Sequence, residues 1–225
     1  MLSASLDRSL TGYIEKTMNL LISRHLNIIL IGIVTLLPLS AFGVDMEMCK
    51  QCHGPEYRGK PEIGAPNLTG LNTVYIKRQM DAYRAGLRGQ LAGDKDGQQM
   101  AAIAKSLAEK DIEQVSKALD NLTPYLPAQQ AIASERGAKI YRSHCTSCHG
   151  ADALGKKSLT APALRTLHSE YLFKHLEQYR KGERGRAPAD KHGRLMGVMS
   201  RTLKREDTKL VVEYILSLPA DKVAN

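Results

Sequence analysis

The sequence predicts an all-α protein built from two tandem copies of one small helical unit, behind an apolar N-terminal segment. Three observations lead there. The chain repeats itself at a fixed offset of 96 residues. Apolar residues recur at spacings of three and four within each copy. Strand signals are weak throughout. With 225 residues there is room for one large domain or two small ones. Aromatic residues make up only 5% and Trp is absent, so protein-only cores would have few large anchors. Small domains of that kind usually need a disulfide, a metal or a cofactor as a staple.

The N-terminal 43 residues read differently from the rest. Leu26 to Leu37 is nearly all apolar, Arg24 stands just before it, and Ser40, Ala41 and Gly43 follow. A basic start, a short apolar stretch and a small-residue exit predict a secretory signal peptide over residues 1–43, cleaved after Gly43 or Ala41, and a periplasmic protein. The segment from Met18 is a complete signal by itself, so Met1 and Met18 both fit as initiator. Two readings compete with export. Ile14 to Leu39 resembles a weak membrane span, which would make the segment an uncleaved anchor and give the protein a membrane contact. A buried helix is the second.

The formal charge is +9. Residues 1–43 hold Arg8, Lys16 and Arg24 against Asp7 and Glu15, so removing them leaves a strongly basic chain. Export and the lack of a long basic run set nucleic acid aside as a partner. A solvated surface accounts for most of the basic residues; docking toward an acidic partner or a membrane is the other use.

The first unit is expected over residues 44–121, a linker over 122–130 and the second unit over 131–225. Cys49-Lys50-Gln51-Cys52-His53-Gly54 recurs as Cys145-Thr146-Ser147-Cys148-His149-Gly150. Ala65-Pro66-Asn67-Leu68 recurs as Ala161-Pro162-Ala163-Leu164, and Tyr75 matches Tyr171. Tyr83-Arg84-x-Gly86-x-Arg88-Gly89 matches Tyr179-Arg180-x-Gly182-x-Arg184-Gly185. Met100 matches Met196, and Leu107-x-x-x-Asp111 matches Leu203-x-x-x-Asp207, all without an insertion. Pro124 and Pro127 end the preceding helix and favour an extended connection. The linker is short enough that the units should pack together. Helices are predicted over 73–85 and 169–181, closed by Gly86 and Gly182, over 110–122 and 205–218, and over 134–144 leading into the second cysteine motif.

C-x-x-C-H is the attachment pattern of c-type haem. Two thiols on one helical turn can each add to a vinyl group of one porphyrin, and the following histidine then faces the iron. Cys49, Cys52, Cys145 and Cys148 are therefore expected as thioether links, with His53 and His149 as iron ligands. A zinc site using both pairs is opposed by the 96-residue separation and by the histidine after each pair. A thioredoxin-like motif would want a βαβ context, and disulfides would leave the repeated histidines unexplained.

A closed electron-transfer haem needs a second axial ligand, often methionine. Met100 lies 47 residues after His53, and Met196 lies 47 after His149. Flexible core filling is the ordinary role of a methionine, but equal spacing in both units favours ligation. Met199 is a local rival opposite Ile103, and His192 a weaker one opposite Asp96; His144, His168 and His175 have no repeated histidine. Pro66 and Pro162 are candidates to orient the imidazoles through a carbonyl. Tyr83 and Tyr179 suit a core or a haem contact. Arg84, Arg88, Arg180 and Arg184 suit propionates or a solvated face.

These motifs, from Cys49-x-x-Cys52-His53-Gly54 through Ala65-Pro66-x-Leu68 and Tyr83-Arg84-x-Gly86 to Met100-x-x-Ile103-Ala104-x-x-Leu107, with their partners 96 residues on, resemble the dihaem class I cytochromes c of the cytochrome c4 type. The resemblance covers essentially all of the chain after residue 43. It implies two tandem cytochrome c-like helical domains, each wrapped around one covalent haem c with His/Met ligands, and propionate edges facing each other. It also implies periplasmic electron delivery, often to a terminal oxidase. One departure is visible: the second unit has a full helix before its cysteines, whereas in the first the matching residues run into the signal and cleavage after Gly43 leaves only Val44 to Met48, unless the apolar segment stays attached and supplies the helix.

The expected role is a one-electron relay between a redox protein donor, respiratory in kind, and an acceptor such as a membrane oxidase, without catalysis of its own. Two readings stand beside it. One is a haem c subunit of a larger dehydrogenase or oxidase complex. The other is an enzyme with an open iron, which Met100 and Met196 oppose.

Overall fold

The computed structural model describes residues 44–128 and 134–219. The signal or anchor segment, residues 129–133 at the linker's end and the last six residues lie outside them. Among the described residues there are helices and no strands, only single bridges at Lys60–Ala65 and Lys156–Ala161.

The first half contains α1 (Glu47–His53), α2 (Thr73–Arg84), α3 (Lys95–Ser106) and α4 (Glu109–Asp120). The second contains α5 (Glu135–His144), α6 (Thr146–His149), α7 (Ser169–Lys181), α8 (Lys191–Arg201) and α9 (Arg205–Ser217). Local chemistry sets the starts. The side chains of Asn72, Asp94, Ser134 and Asp190 each accept a backbone N–H of the first turn of α2, α3, α5 and α8. Asp111 and Asp207, matched in the repeat, reach back to the N–H of Ala108 and Lys204 at the starts of α4 and α9. Gly182, at a φ of 70°, ends α7. The helices around the two matched methionines, α3 and α8, lay beyond the sequence reading.

Each half has its own apolar core. In the first, α2 packs on α3 and α4 through Ile76, Met80, Tyr83, Ala104, Ile112, Val115 and Leu119. In the second, α7 packs on α8 and α9, and α5 lies along α9. Leu172, Val211, Val212, Ile215 and Leu216 fill that core around Tyr141. A Cβ on Gly137 would stand 2.3 Å from the carbonyl oxygen of Leu210, so a side chain there would force α5 off α9. None of the described helices is long and apolar enough to cross a membrane.

Candidate functional site

Both C-x-x-C-H motifs form short helices that end at the histidine, α1 and the α5–α6 pair. His53 and His149 are each 5% exposed. His53 Nδ1 lies 2.8 Å from the carbonyl oxygen of Pro66, and His149 Nδ1 lies 3.1 Å from that of Pro162. Since a carbonyl only accepts, Nδ1 carries the proton and Nε2 keeps its lone pair for a metal. Burial pushes both imidazoles down from their ordinary pKa, against the smaller upward pull of the carbonyl, so both are neutral at neutral pH.

The loop that brings the carbonyl under the ring depends on glycine. Gly59 and Gly155 have φ of +86° and +81°, and each donates its N–H to the histidine carbonyl at 2.9 Å. A Cβ at Gly59 would meet Asn67 N at 2.6 Å, and one at Gly155 would meet Ala161 O at 2.5 Å. Lys60 and Lys156, also in register, bond the carbonyls of Gln51 and Ser147 at 2.9 and 2.8 Å. These lysines tie the loop to the residue between the cysteines. The repeat register contained that match; sequence reasoning passed it over because lysines are common on surfaces.

Cys52 and Cys148 are exposed, Cys49 and Cys145 half-buried, and all four thiols are unbridged. Burial pushes the Cys145 thiol up to about 12 and raises Cys49 as well, so these are protonated thiols. The two cysteine pairs do not join His, Asp or Glu in any group of three close enough to hold a metal among the described residues.

Met100 lies in the middle of α3, half-buried, and packs with Cys49 against the first core. Met196 lies in the middle of α8 and, with Cys145, Cys148 and His149, lines an apolar cleft floored by Leu172, Val211, Val212 and Ile215. Met199 and His192 line the same cleft. Met199 is 39% exposed, and His192 Nε2 is held by the Thr160 hydroxyl at 3.0 Å. His144 bonds within its own helix, and His168 bonds the carbonyl of Arg58. Paired vicinal thiols, a buried imidazole with a free Nε2 and an apolar cleft that also holds a thioether fit a haem c in the second half. The first half presents the same thiols, imidazole and thioether.

Several second-half cleft residues come from the first half. Tyr75, Arg78 and Gln79, on α2, line it beside Tyr171, His175 and Arg184. Arg88 and Arg184 stack on Tyr83 and Tyr179, with 4.5 and 4.6 Å between guanidinium and ring centre. Both donate to the side-chain amide oxygen Oε1 of Gln79, at 2.9 and 2.6 Å. Arg88 also reaches the Tyr171 hydroxyl at 2.8 Å and His175 Nε2 at 3.2 Å, while His175 Nδ1 contacts Gln178 Oε1 at 2.7 Å. Burial, and then Arg88 and Arg184, hold His175 well below its ordinary pKa. Arg84 and Arg180 instead pair with Asp81 and Glu177. Of the four arginines considered for propionates, two are thus in ion pairs and two are buried between the halves.

The folds and sites define a two-domain protein with one covalent haem c per domain. The cytochrome c family profile matches residues 44–123 and again 134–219, so the chain belongs to the cytochrome c family, and within it to the dihaem cytochrome c4 type. It is 26% identical over 181 residues to the thiosulfate dehydrogenase electron acceptor of Stutzerimonas stutzeri strain A1501, covering 76% of this chain and 78% of that one. It is 24% identical over 184 residues to cytochrome c4 of Azotobacter vinelandii, covering 76% and 84%. Reduced recombinant cytochrome c4 from Pseudomonas stutzeri superposes with a TM-score of 0.65 at 22% identity, over 77% of this chain and 95% of that one, a likeness of fold. The chain is a dihaem electron-transfer protein.

Proposed function

We propose that this electron carrier works in the periplasm, exported by residues 1–43, and relays single electrons from a respiratory donor to a terminal oxidase. Cys49 and Cys52 hold the first haem and Cys145 and Cys148 the second, with His53/Met100 and His149/Met196 as axial ligands, in domains spanning 44–121 and 131–225 joined by 122–130. The haem iron supplies reversible one-electron exchange. The protein supplies the rest. The Pro66 and Pro162 carbonyls fix the tautomer and plane of each imidazole, the apolar walls keep water out, and a thioether opposite closes the site to exogenous ligands.

The observation that carries this reading is the doubled imidazole geometry: in both halves a buried histidine follows its cysteine pair, donates Nδ1–H to a proline carbonyl and leaves Nε2 free. Intact-mass measurement and a haemochrome assay of the exported protein test it. Two covalently retained haems are expected, and the single variants M100A and M196A should each convert one haem to a form that binds carbon monoxide. If either variant left both haems unreactive, that methionine would not be the ligand. The basic charge of the chain suits donors and acceptors with acidic faces. A second reading, an electron-accepting partner or haem subunit of an exported dehydrogenase, gains support from the name of the Stutzerimonas stutzeri relative. Co-purification with a large subunit would select it.

A further inference from the structure

Arg78 and its counterpart in the repeat, Lys174, stand at matched positions on α2 and α7 and reach into the opposite half. Their surroundings differ. Lys174 is neutralised twice over, by Asp94 at 2.6 Å and Asp96 at 2.5 Å. At the other end of the interface the position of Asp96 is taken by His192 and that of Gly64 by Thr160, and Asp190, which matches Asp94, acts on Arg78 only from beyond ion-pair distance. Arg78 donates there to the Thr160 hydroxyl and, at 3.0 Å, to its carbonyl oxygen, and its guanidinium lies 5.4 Å from the Tyr75 ring centre. No carboxylate of the described residues lies within 4 Å of it.

Arg78 Nε and Arg88 Nε are the buried side-chain polar atoms without a hydrogen-bond partner among the described residues. Arg78 is half-buried and its two acceptors are neutral, so its charge has no acid to balance it and its Nε–H, shut off from water, has no acceptor; both are costly to keep. Burial accordingly pushes the Arg78 guanidinium down from its ordinary value. Yet Arg78 lines the second half's cleft together with Arg184, which is 7% exposed and likewise has no carboxylate partner. The missing anion thus belongs inside that cleft, and the group expected there carries two carboxylates. A guanidinium fork suits a carboxylate better than an ammonium does.

We infer that Arg78, a residue of the first domain, binds a propionate of the second domain's haem across the interface and raises that haem's reduction potential, an inference that rests on the haem assignments proposed above. A cation beside the propionate disfavours the more positive ferric state, so removing it favours oxidation. Lys174, already neutralised, has no equivalent charge to offer the first haem.

The test is a potentiometric titration of the full holoprotein carrying R78Q, with the haems distinguished by the NMR signals of their methyl groups. The second haem's reduction equilibrium should fall by about tenfold, which is 59 mV for a one-electron couple, with a smaller shift at the first. R78K keeps the charge and should recover at least half of the loss. Unchanged potentials in R78Q, equal shifts at both haems, or an R78K protein as low as R78Q would each overturn the inference. Absence of two low-spin haems in the unmodified protein would instead overturn the haem assignments, so the two failures are distinguishable.

Discussion

The two halves build one site on different supports. In the second, α5 runs into the cysteine motif, and Tyr141 on it is fully buried against Tyr214, its hydroxyl donating to the Gly150 carbonyl at 2.8 Å. In the first, the position matching Tyr141 is Asp45, and the core aromatic comes from Tyr57, where the second half has Ala153. Tyr57 and Ala153 share a φ of 59°, so the backbone is alike and only the source of the ring has moved. The Tyr57 hydroxyl reaches the Met46 carbonyl at 3.4 Å, a weak bond. The imidazole, its glycine loop and the paired thiols are alike in the two halves, while the packing behind them differs.

The largest test of that equivalence is removal of one cysteine pair. C145S/C148S should leave one covalent haem with the other's spectrum intact, and C49S/C52S should do the same in mirror image, counted by haemochrome assay. Next is G137V, which forces α5 from α9. It should destabilise the second domain by about 3 kcal/mol, leaving the first domain's transition in place by scanning calorimetry. Y141F strands the buried Gly150 carbonyl and should cost about 1–2 kcal/mol, whereas Y57F should cost less because its bond is long. If the two tyrosine variants cost the same, the supports are not as unequal as their geometry.

The smallest effect concerns pH at the interface. Burial raises the Asp94 carboxyl, but Lys174, the Gly97 N–H and Gln178 more than offset this and hold it below the usual carboxylate range. Its ionised form therefore stabilises the paired halves at neutral pH. That contribution is fully present above the unfolded value of about 4 and is lost as pH falls through the lower folded value. D94N should flatten this part of the acid unfolding profile, and an unaltered profile would remove Asp94 from the account.

Much of the candidate site was legible because the repeat shows its residues twice. The cysteines, His53, His149, Met100 and Met196 stand out by register, and the orienting role of Pro66 and Pro162 follows from their place in it. The interface was legible only in part, for a physical reason. Tyr75/Tyr171 and Arg88/Arg184 do match, but Gln79 pairs with His175, Arg78 with Lys174 and Asp96 with His192, and self-comparison passes over these unlike positions. Their burial is set by docking of one half on the other, which local periodicity does not encode. The same holds for the exchange of Tyr141 for Tyr57, where a core volume is conserved in space while the chain position moves.

The central claim, that both halves hold a closed low-spin haem c, is tested most directly by visible spectra of the exported protein, oxidised and reduced, with and without carbon monoxide. The account predicts two covalent low-spin haems, a far-red methionine–iron band in the oxidised form, and no response to carbon monoxide. A high-spin signal or carbon monoxide binding at either haem would contradict the His/Met assignment for that domain and reopen the question of catalysis there.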